Sequence, residues 1–139
     1  MFIINCKNYN EISGERINKL AAIAEKISKK HKIQIALAPP HHQLASIKKS
    51  KLLVFAQHLD DAKIGSTTGY MVPEIVKKSK VNGALINHSE HRIPSKEITN
   101  LVKRLKKLKM KTIVCVKNVQ EAEKMQNLTL RTLQLNRQN

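Results

Sequence analysis

The feature that most restricts what this chain can fold into is a regular alternation of short, almost wholly apolar runs with longer amphipathic ones. The apolar runs are Phe2-Ile3-Ile4-Asn5-Cys6, Ile33-Gln34-Ile35-Ala36-Leu37-Ala38, Leu52-Leu53-Val54-Phe55-Ala56-Gln57, Gly83-Ala84-Leu85-Ile86-Asn87 and Thr112-Ile113-Val114-Cys115-Val116. Runs this short and this uniformly apolar predict strands buried on both faces, the signature of a parallel sheet. Parallel neighbours need long crossovers, and the intervening segments supply them. Ile17, Leu20, Ala21, Ala24 and Ile27 recur at helical spacing and predict a helix over 14–30, with Ser13 as its N-cap. Pro39-Pro40 stops the second strand. A short helix is expected from Pro73, a long one from Ser95 to Lys109 with Ile98, Leu101, Val102, Leu105 and Leu108 on its apolar face, and a short one over 119–126. Five strand–helix units follow. They suit either an open, doubly wound five-stranded sheet or five units of an eight-unit barrel. A complete barrel takes roughly 250 residues, and this chain has 139.

Polar residues gather where these strands end. The first ends Asn5-Cys6-Lys7, and strand alternation puts Asn5 and Lys7 on one face and Cys6 on the other, towards the helices. The third ends Gln57-His58 and the fourth Asn87-His88-Ser89-Glu90. Ligands of parallel α/β sheets bind at the carboxyl ends of strands, so an amide, an ammonium, an imidazole and a carboxylate would meet on one rim. Singly, each such residue does no more than begin a loop; three strand ends together point to a site.

Lys and Arg number 26 against 10 Asp and Glu, a net charge of +16. Such a balance favours anionic partners: nucleic acid, anionic membrane or phosphorylated metabolites. The charge is spread along the whole chain, and there are only two Tyr, two Phe and no Trp to serve as base-stacking platforms, so nucleic acid is disfavoured. No apolar run reaches the roughly 18 residues of a membrane helix, and Met1-Phe2-Ile3-Ile4 lacks the basic flank of a signal peptide. Two cysteines, Cys6 and Cys115, make no disulfide framework; both are expected buried and unpaired in a reduced, cytoplasmic setting. His88-x-x-His91, with His41-His42 and His58, has a metal-like spacing, but no Cys or Asp cluster accompanies it and no metal is expected.

Taken in order, these segments resemble the triosephosphate isomerase family, in its shorter archaeal-type branch. Ile4-Asn5-Cys6-Lys7 resembles the first-strand Asn-x-Lys, Ala56-Gln57-His58 the end of the third strand, Gly65-Ser66-Thr67-Thr68-Gly69 the interface loop, and Asn87-His88-Ser89-Glu90 the fourth-strand His-Ser-Glu-Arg signature. His91 stands where the family usually has Arg, and Arg92 follows, which puts the local packing in doubt more than the chemistry. The resemblance implies an α/β fold of the (β/α)8 barrel family, here as an incomplete barrel of about five parallel units, and interconversion of dihydroxyacetone phosphate and glyceraldehyde 3-phosphate through an enediolate, with no cofactor. It implies that His88 is the electrophile, kept neutral by a short helix starting at Ser89-Glu90, and that Lys7 supplies positive charge. Asn5 and Lys7 would bind substrate, and Glu90, Ser89 and Gln57 would support them. Thr68 would lie at a subunit interface, since family members form homo-oligomers. A basic half-barrel that binds nucleic acid or another polyanion is the alternative.

The resemblance covers residues 1–128 and leaves 129–139 as a tail without strand character. It further implies that the family's general base, a Glu ending the sixth strand, and the phosphate-gripping loops after strands six to eight are not in this chain, so that the chain by itself is inactive. Arg131 to Asn139 can be encoded CGT ACA TTG CAA TTG AAC CGC CAG AAC. Started at its third nucleotide, that string translates to Tyr-Ile-Ala-Ile-Glu-Pro-Pro-Glu, which resembles the family's sixth strand and its catalytic Glu. A displaced reading frame near 128–131 is the favoured reading, and an unrelated short tail the alternative. An open half-barrel is also expected to leave its inner apolar side chains wet and its outermost strands, the first and fifth, as unpaired edges, inviting association.

Overall fold

The computed structural model describes residues 1–47, 50–126 and, for the backbone, 132–135. Six strands, β1 (Phe2–Asn5), β2 (Ile35–Ala38), β3 (Leu53–Ala56), β4 (Gly83–Ile86), β5 (Lys111–Val116) and β6 (Thr132–Leu135), form one sheet in the order β1-β2-β3-β4-β5-β6, every neighbour parallel. Helices α1 (Arg16–His31), α2 (Pro73–Lys78), α3 (Ser95–Lys107) and α4 (Val119–Gln126) fall between the strands, and a 3-10 turn, His41–Ile47, joins β2 to β3.

Two observations choose between the arrangements open at the level of sequence. The strand order never reverses, whereas a doubly wound sheet needs a switch point. All helices also pack on one face. Ile17 and Ala21 of α1, Val76 of α2, Leu101 of α3 and Met125 of α4 share one apolar cluster with Leu37, Val54, Ile86 and Val114 of the strands. The opposite face carries a second cluster of strand residues alone, centred on Ala36, Ala38, Phe55, Leu85 and Ile113. The molecule is a segment of a barrel with its helices outside.

That inner cluster corrects one expectation: Phe55, Ala36 and Ala38 are fully buried and Ile113 is 1% exposed, not wet. The reason lies in residue size. Ala36, Ala38 and Gly83 carry little or no side chain, so the Phe55 ring lies across its neighbours and reaches Gly83, where an added Cβ would stand 2.8 Å from its tip. One large ring over small residues closes the layer.

The element boundaries shift for local reasons. Gly14, at φ +65, puts a turn between Ser13 and the helix, so α1 starts at Arg16 and Ser13 does not cap it. Lys32 leaves α1 in the left-handed conformation, and Ile33 still bonds back to Ser28 through both its N–H and its carbonyl; β2 therefore begins at Ile35 rather than at Ile33. Ile27 is 43% exposed because the 16-residue α1, about 24 Å long, outruns the four-residue strands it covers. Within the tail, Thr132–Leu135 adds a sixth strand beside β5, which the sequence does not reveal. The edges of the sheet are thus β1 and β6, not β1 and β5. The remaining tail positions, 129–131 and 136–139, lie outside the described residues.

Candidate active site

A cleft of about 750 Å³ opens at the carboxyl ends of β1 to β4. Asn5, Lys7, Gln57, His88 and Glu90 line it, together with His41, His58 and His91. The strand-end residues singled out in the sequence therefore converge, with two exceptions. Ser89 is half-buried and does not line the cleft, and Thr68 sits on the exposed loop between Gly65 and Gly69.

Lys7 reaches the cleft by a route that strand alternation does not describe. β1 ends at Asn5, and Lys7 takes a left-handed backbone with φ 48. A side chain in that region costs about 1–2 kcal/mol, and two hydrogen bonds hold it there. The Lys7 N–H donates to Asn5 Oδ1 at 3.0 Å, and Gln57 Nε2 donates to the Lys7 carbonyl at 2.9 Å. Gln57 also donates to the Ala38 carbonyl at 3.0 Å, so one amide ties the ends of β1 and β2 to β3. Asn5 Oδ1 and Gln57 Nε2 thus shape the backbone under Lys7, and both residues line the cleft. The Lys7 ammonium meets Glu90 Oε1 at 2.7 Å. Each partner favours the other's charged form: the Glu90 carboxylate raises the Lys7 pKa, and Lys7 lowers that of Glu90.

β4 delivers His88 through Asn87, which is 1% exposed and left-handed at φ 63, a conformation Asn tolerates better than most residues. Its side chain ties β5 to the segment before α3, donating to the Cys115 carbonyl at 3.0 Å and accepting from the Ile93 N–H at 3.1 Å. Asn87 acts as a structural hinge pin, and only the burial and backbone angle identify it. After His88 the chain makes a single turn, closed by His91 N–H to the His88 carbonyl at 2.8 Å, and no helix begins there. The expected helix N-terminus is replaced by one bond: the Glu90 N–H donates to His88 Nδ1 at 3.2 Å. Nδ1 as acceptor places the ring proton on Nε2, at the opposite edge of the imidazole. In the neutral ring Nε2 is then the donor, and Glu90 Oε2 stands 3.7 Å from the same Nδ1.

The position of His91 resolves the departure noted in the sequence. Arg92, not His91, makes the ion pair, to Glu121 of α4, and also donates to the Asn87 carbonyl at 3.3 Å. His91 instead stacks on His58, with ring centroids 3.9 Å apart and planes at 17°. Among the described residues no three His, Cys, Asp or Glu side chains come together as metal ligands. None of the described helices is long and apolar enough to cross a membrane. Cys6 and Cys115 are both buried and unpaired; Cys6 packs in the helix-side cluster, and burial pushes its thiol pKa up to about 11.

The family model for triosephosphate isomerase matches residues 1–138. The triosephosphate isomerase of Cenarchaeum symbiosum (strain A) is 53% identical over 122 residues, covering 88% of this chain and 55% of that protein. The one from Saccharolobus solfataricus is 38% identical over 117 residues, covering 84% and 52%. The chain therefore spans about half the length of the curated relatives it matches. The crystal structure of triosephosphate isomerase from Bartonella henselae aligns with a TM-score of 0.76 over 96% of this chain and 65% of that one; at 17% identity the likeness speaks for the barrel fold. These matches, over a rim that gathers Asn5 and Lys7 from the end of β1 and His88 and Glu90 from the end of β4, show that the chain belongs to the triosephosphate isomerase family.

Proposed function

We propose that this chain carries the electrophilic half of a triose-phosphate isomerase site, for the interconversion of dihydroxyacetone phosphate and glyceraldehyde 3-phosphate. The observation that carries the reading is the Glu90 N–H donated to His88 Nδ1 at 3.2 Å, which in a neutral imidazole leaves the ring proton on Nε2. In that tautomer the ring donates a hydrogen bond to a substrate carbonyl while Lys7 stabilises the charge that develops as the adjacent carbon loses its proton. Asn5 and Gln57 hold Lys7 in its left-handed conformation, and Glu90 orients both Lys7 and His88. The surplus of basic residues would draw a phosphorylated substrate to the rim.

Glu90 is not the base in this reading. Its backbone lies on the Nδ1 edge of His88 and its carboxylate is bound to Lys7, so it faces away from the carbon that the Nε2 edge addresses. The reading supplies the base from the displaced frame, whose Glu-Pro-Pro-Glu follows directly on the stretch that forms β6. In this reading 129–139 is the frame-displaced stretch after the barrel portion 1–128, and Thr132–Leu135 within it still pairs with β5. A cytoplasmic homo-oligomer in which the Thr68 loop meets a second copy completes the reading, supported by the two free buried thiols and by the exposure of that loop.

The test compares the 139-residue chain with a version translated in the restored frame through the full barrel. The short chain is expected to show negligible turnover, because a general base contributes about 10²–10⁴-fold. The restored chain should be active. Within it, His88→Gln should cost about 10²–10³-fold in kcat, the scale for losing one preorganised donor, and Lys7→Met should do similar harm, whereas His31→Gln at the exposed end of α1 should not. Turnover by the short chain, or a restored chain indifferent to His88, would overturn the reading.

A further inference from the structure

The cleft contains a second histidine pair that the isomerase reading does not use. His58, 6% exposed at the end of β3, stacks face to face on the exposed His91 of the turn that follows β4. His58 is anchored on its own side: its N–H donates to His41 Nε2 at 3.1 Å, and its Nε2 meets Asp60 Oδ1 at 3.2 Å, while Nδ1 is buried without a partner among the described residues. Asp60 is held in turn by the Met71 N–H on Oδ2 at 2.6 Å. His91 is exposed and lies outside the core. What it carries is the His88-Ser89-Glu90 turn, through its N–H to the His88 carbonyl at 2.8 Å. The stack therefore joins this turn, with its electrophile, to the end of β3, as the Lys7–Glu90 ion pair joins it to the end of β1. At the turn's other end Arg92 is fastened to Glu121 and to the Asn87 carbonyl.

We propose that His58 and His91 are positioning residues: their stacked rings form a clasp that holds the His88–Glu90 turn over the cleft, and protonation of both imidazoles opens it. Two neutral imidazoles stack at 3.9 Å without penalty, whereas two cations at that separation repel. The groups facing His58 are His41 of the 3-10 turn, which has His42 beside it, Asp60 of its own loop, His91 opposite and Glu97 at the start of α3. Burial, and then the charge of His91, push the His58 pKa down, and Asp60 only partly opposes them. Burial and the charge of His91 both oppose a proton on His58, so the second positive charge, the one that drives the rings apart, needs acid. This proposal rests on the isomerase reading for the value of holding His88, but its geometry and its test do not involve turnover.

The experiment is hydrogen exchange on the 139-residue chain, read by mass spectrometry on peptides spanning 87–93 and corrected for the intrinsic pH dependence of exchange. Protection in this segment should be high at pH 8 and fall about tenfold or more as pH drops through the imidazole range. His91→Phe, which stacks without titrating, should keep the protection at every pH. His91→Ala should lose it at every pH, while peptides from β5 stay protected. Position 91 is exposed, so these replacements leave the core intact. Equal protection in His91→Ala, or an acid loss that persists in His91→Phe, would overturn the proposal. A working clasp in a restored chain that shows no isomerase activity would instead count against the functional reading alone.

Discussion

Gly83→Ala should destabilise the protein, although local propensity argues for the opposite sign. Gly83 has no left-handed φ to preserve and sits inside β4. Replacing such a glycine restricts the unfolded chain and ordinarily stabilises by about 0.4–1 kcal/mol. Here the added Cβ would lie 2.4 Å from the Lys111 carbonyl oxygen, 2.8 Å from the Phe55 ring and 3.0 Å from Lys111 Cβ. Lys111 is the residue paired with Gly83 across β4 and β5, so the worst contact is with backbone. To restore a normal separation of about 3.5 Å, the two strands must part by about 1 Å where they hydrogen-bond. Overpacking of this kind costs about 1–3 kcal/mol, which exceeds the entropic gain and leaves the variant less stable. Urea unfolding followed by circular dichroism at low micromolar concentration would read the change as a lower midpoint at constant slope. Phe55→Leu in the same chain clears the ring but not the carbonyl, so it should not rescue Gly83→Ala. An alanine variant as stable as its parent, or full rescue by Phe55→Leu, would show that the register between β4 and β5 does not confine this position.

Three further outcomes follow from the packing. Cys6 and Cys115 lie on opposite faces of the sheet, so mild oxidation should form no disulfide between them, and a thiol reagent should label both only on unfolding; because Cys6 ionises near 11 in the folded chain against an ordinary 9.0, stability should fall as pH rises past 9 and the unfolded chain alone loses that proton. Arg104 of α3 grips Glu74 of α2 with Nε at 2.6 Å and its second nitrogen at 2.5 Å, holding the Glu74 pKa below its usual value, and Glu74→Gln should cost about 1 kcal/mol. That cost should be full above the ordinary carboxylate value of 4.5 and vanish as pH falls through the lowered one, which denaturation midpoints against pH would reveal. The β1 edge exposes Phe2 to 60%, so the polypeptide should self-associate in sedimentation runs and Phe2→Lys should weaken that association; a strictly monomeric parent would refute it.

The sequence by itself determined the class of fold and most of the rim. Wholly apolar strands such as Ile35–Ala38 and Gly83–Ile86 admit few environments other than a parallel sheet covered on both faces, and the period of Ile98, Leu101, Val102 and Leu105 admits only a helix packed on one side. Because strand ends in such a sheet face one way, Asn5, Lys7, Gln57, His88 and Glu90 could be placed on one rim from their positions alone. Other features depend on contacts between residues far apart in the chain, and only the tertiary structure decided them. Whether the inner face is wet depended on Phe55 reaching Gly83, 28 positions on, which no local pattern encodes. The tautomer of His88 depended on a turn replacing the expected helix, and the role of His91 on a ring brought up from the end of β3. The sixth strand was equally hidden, because Thr132–Leu135 has too little apolar character to predict a strand and acquires one by pairing with β5. Periodicity reports which face of an element is buried; it does not report which distant side chain does the burying, and the geometry of this site depends on that.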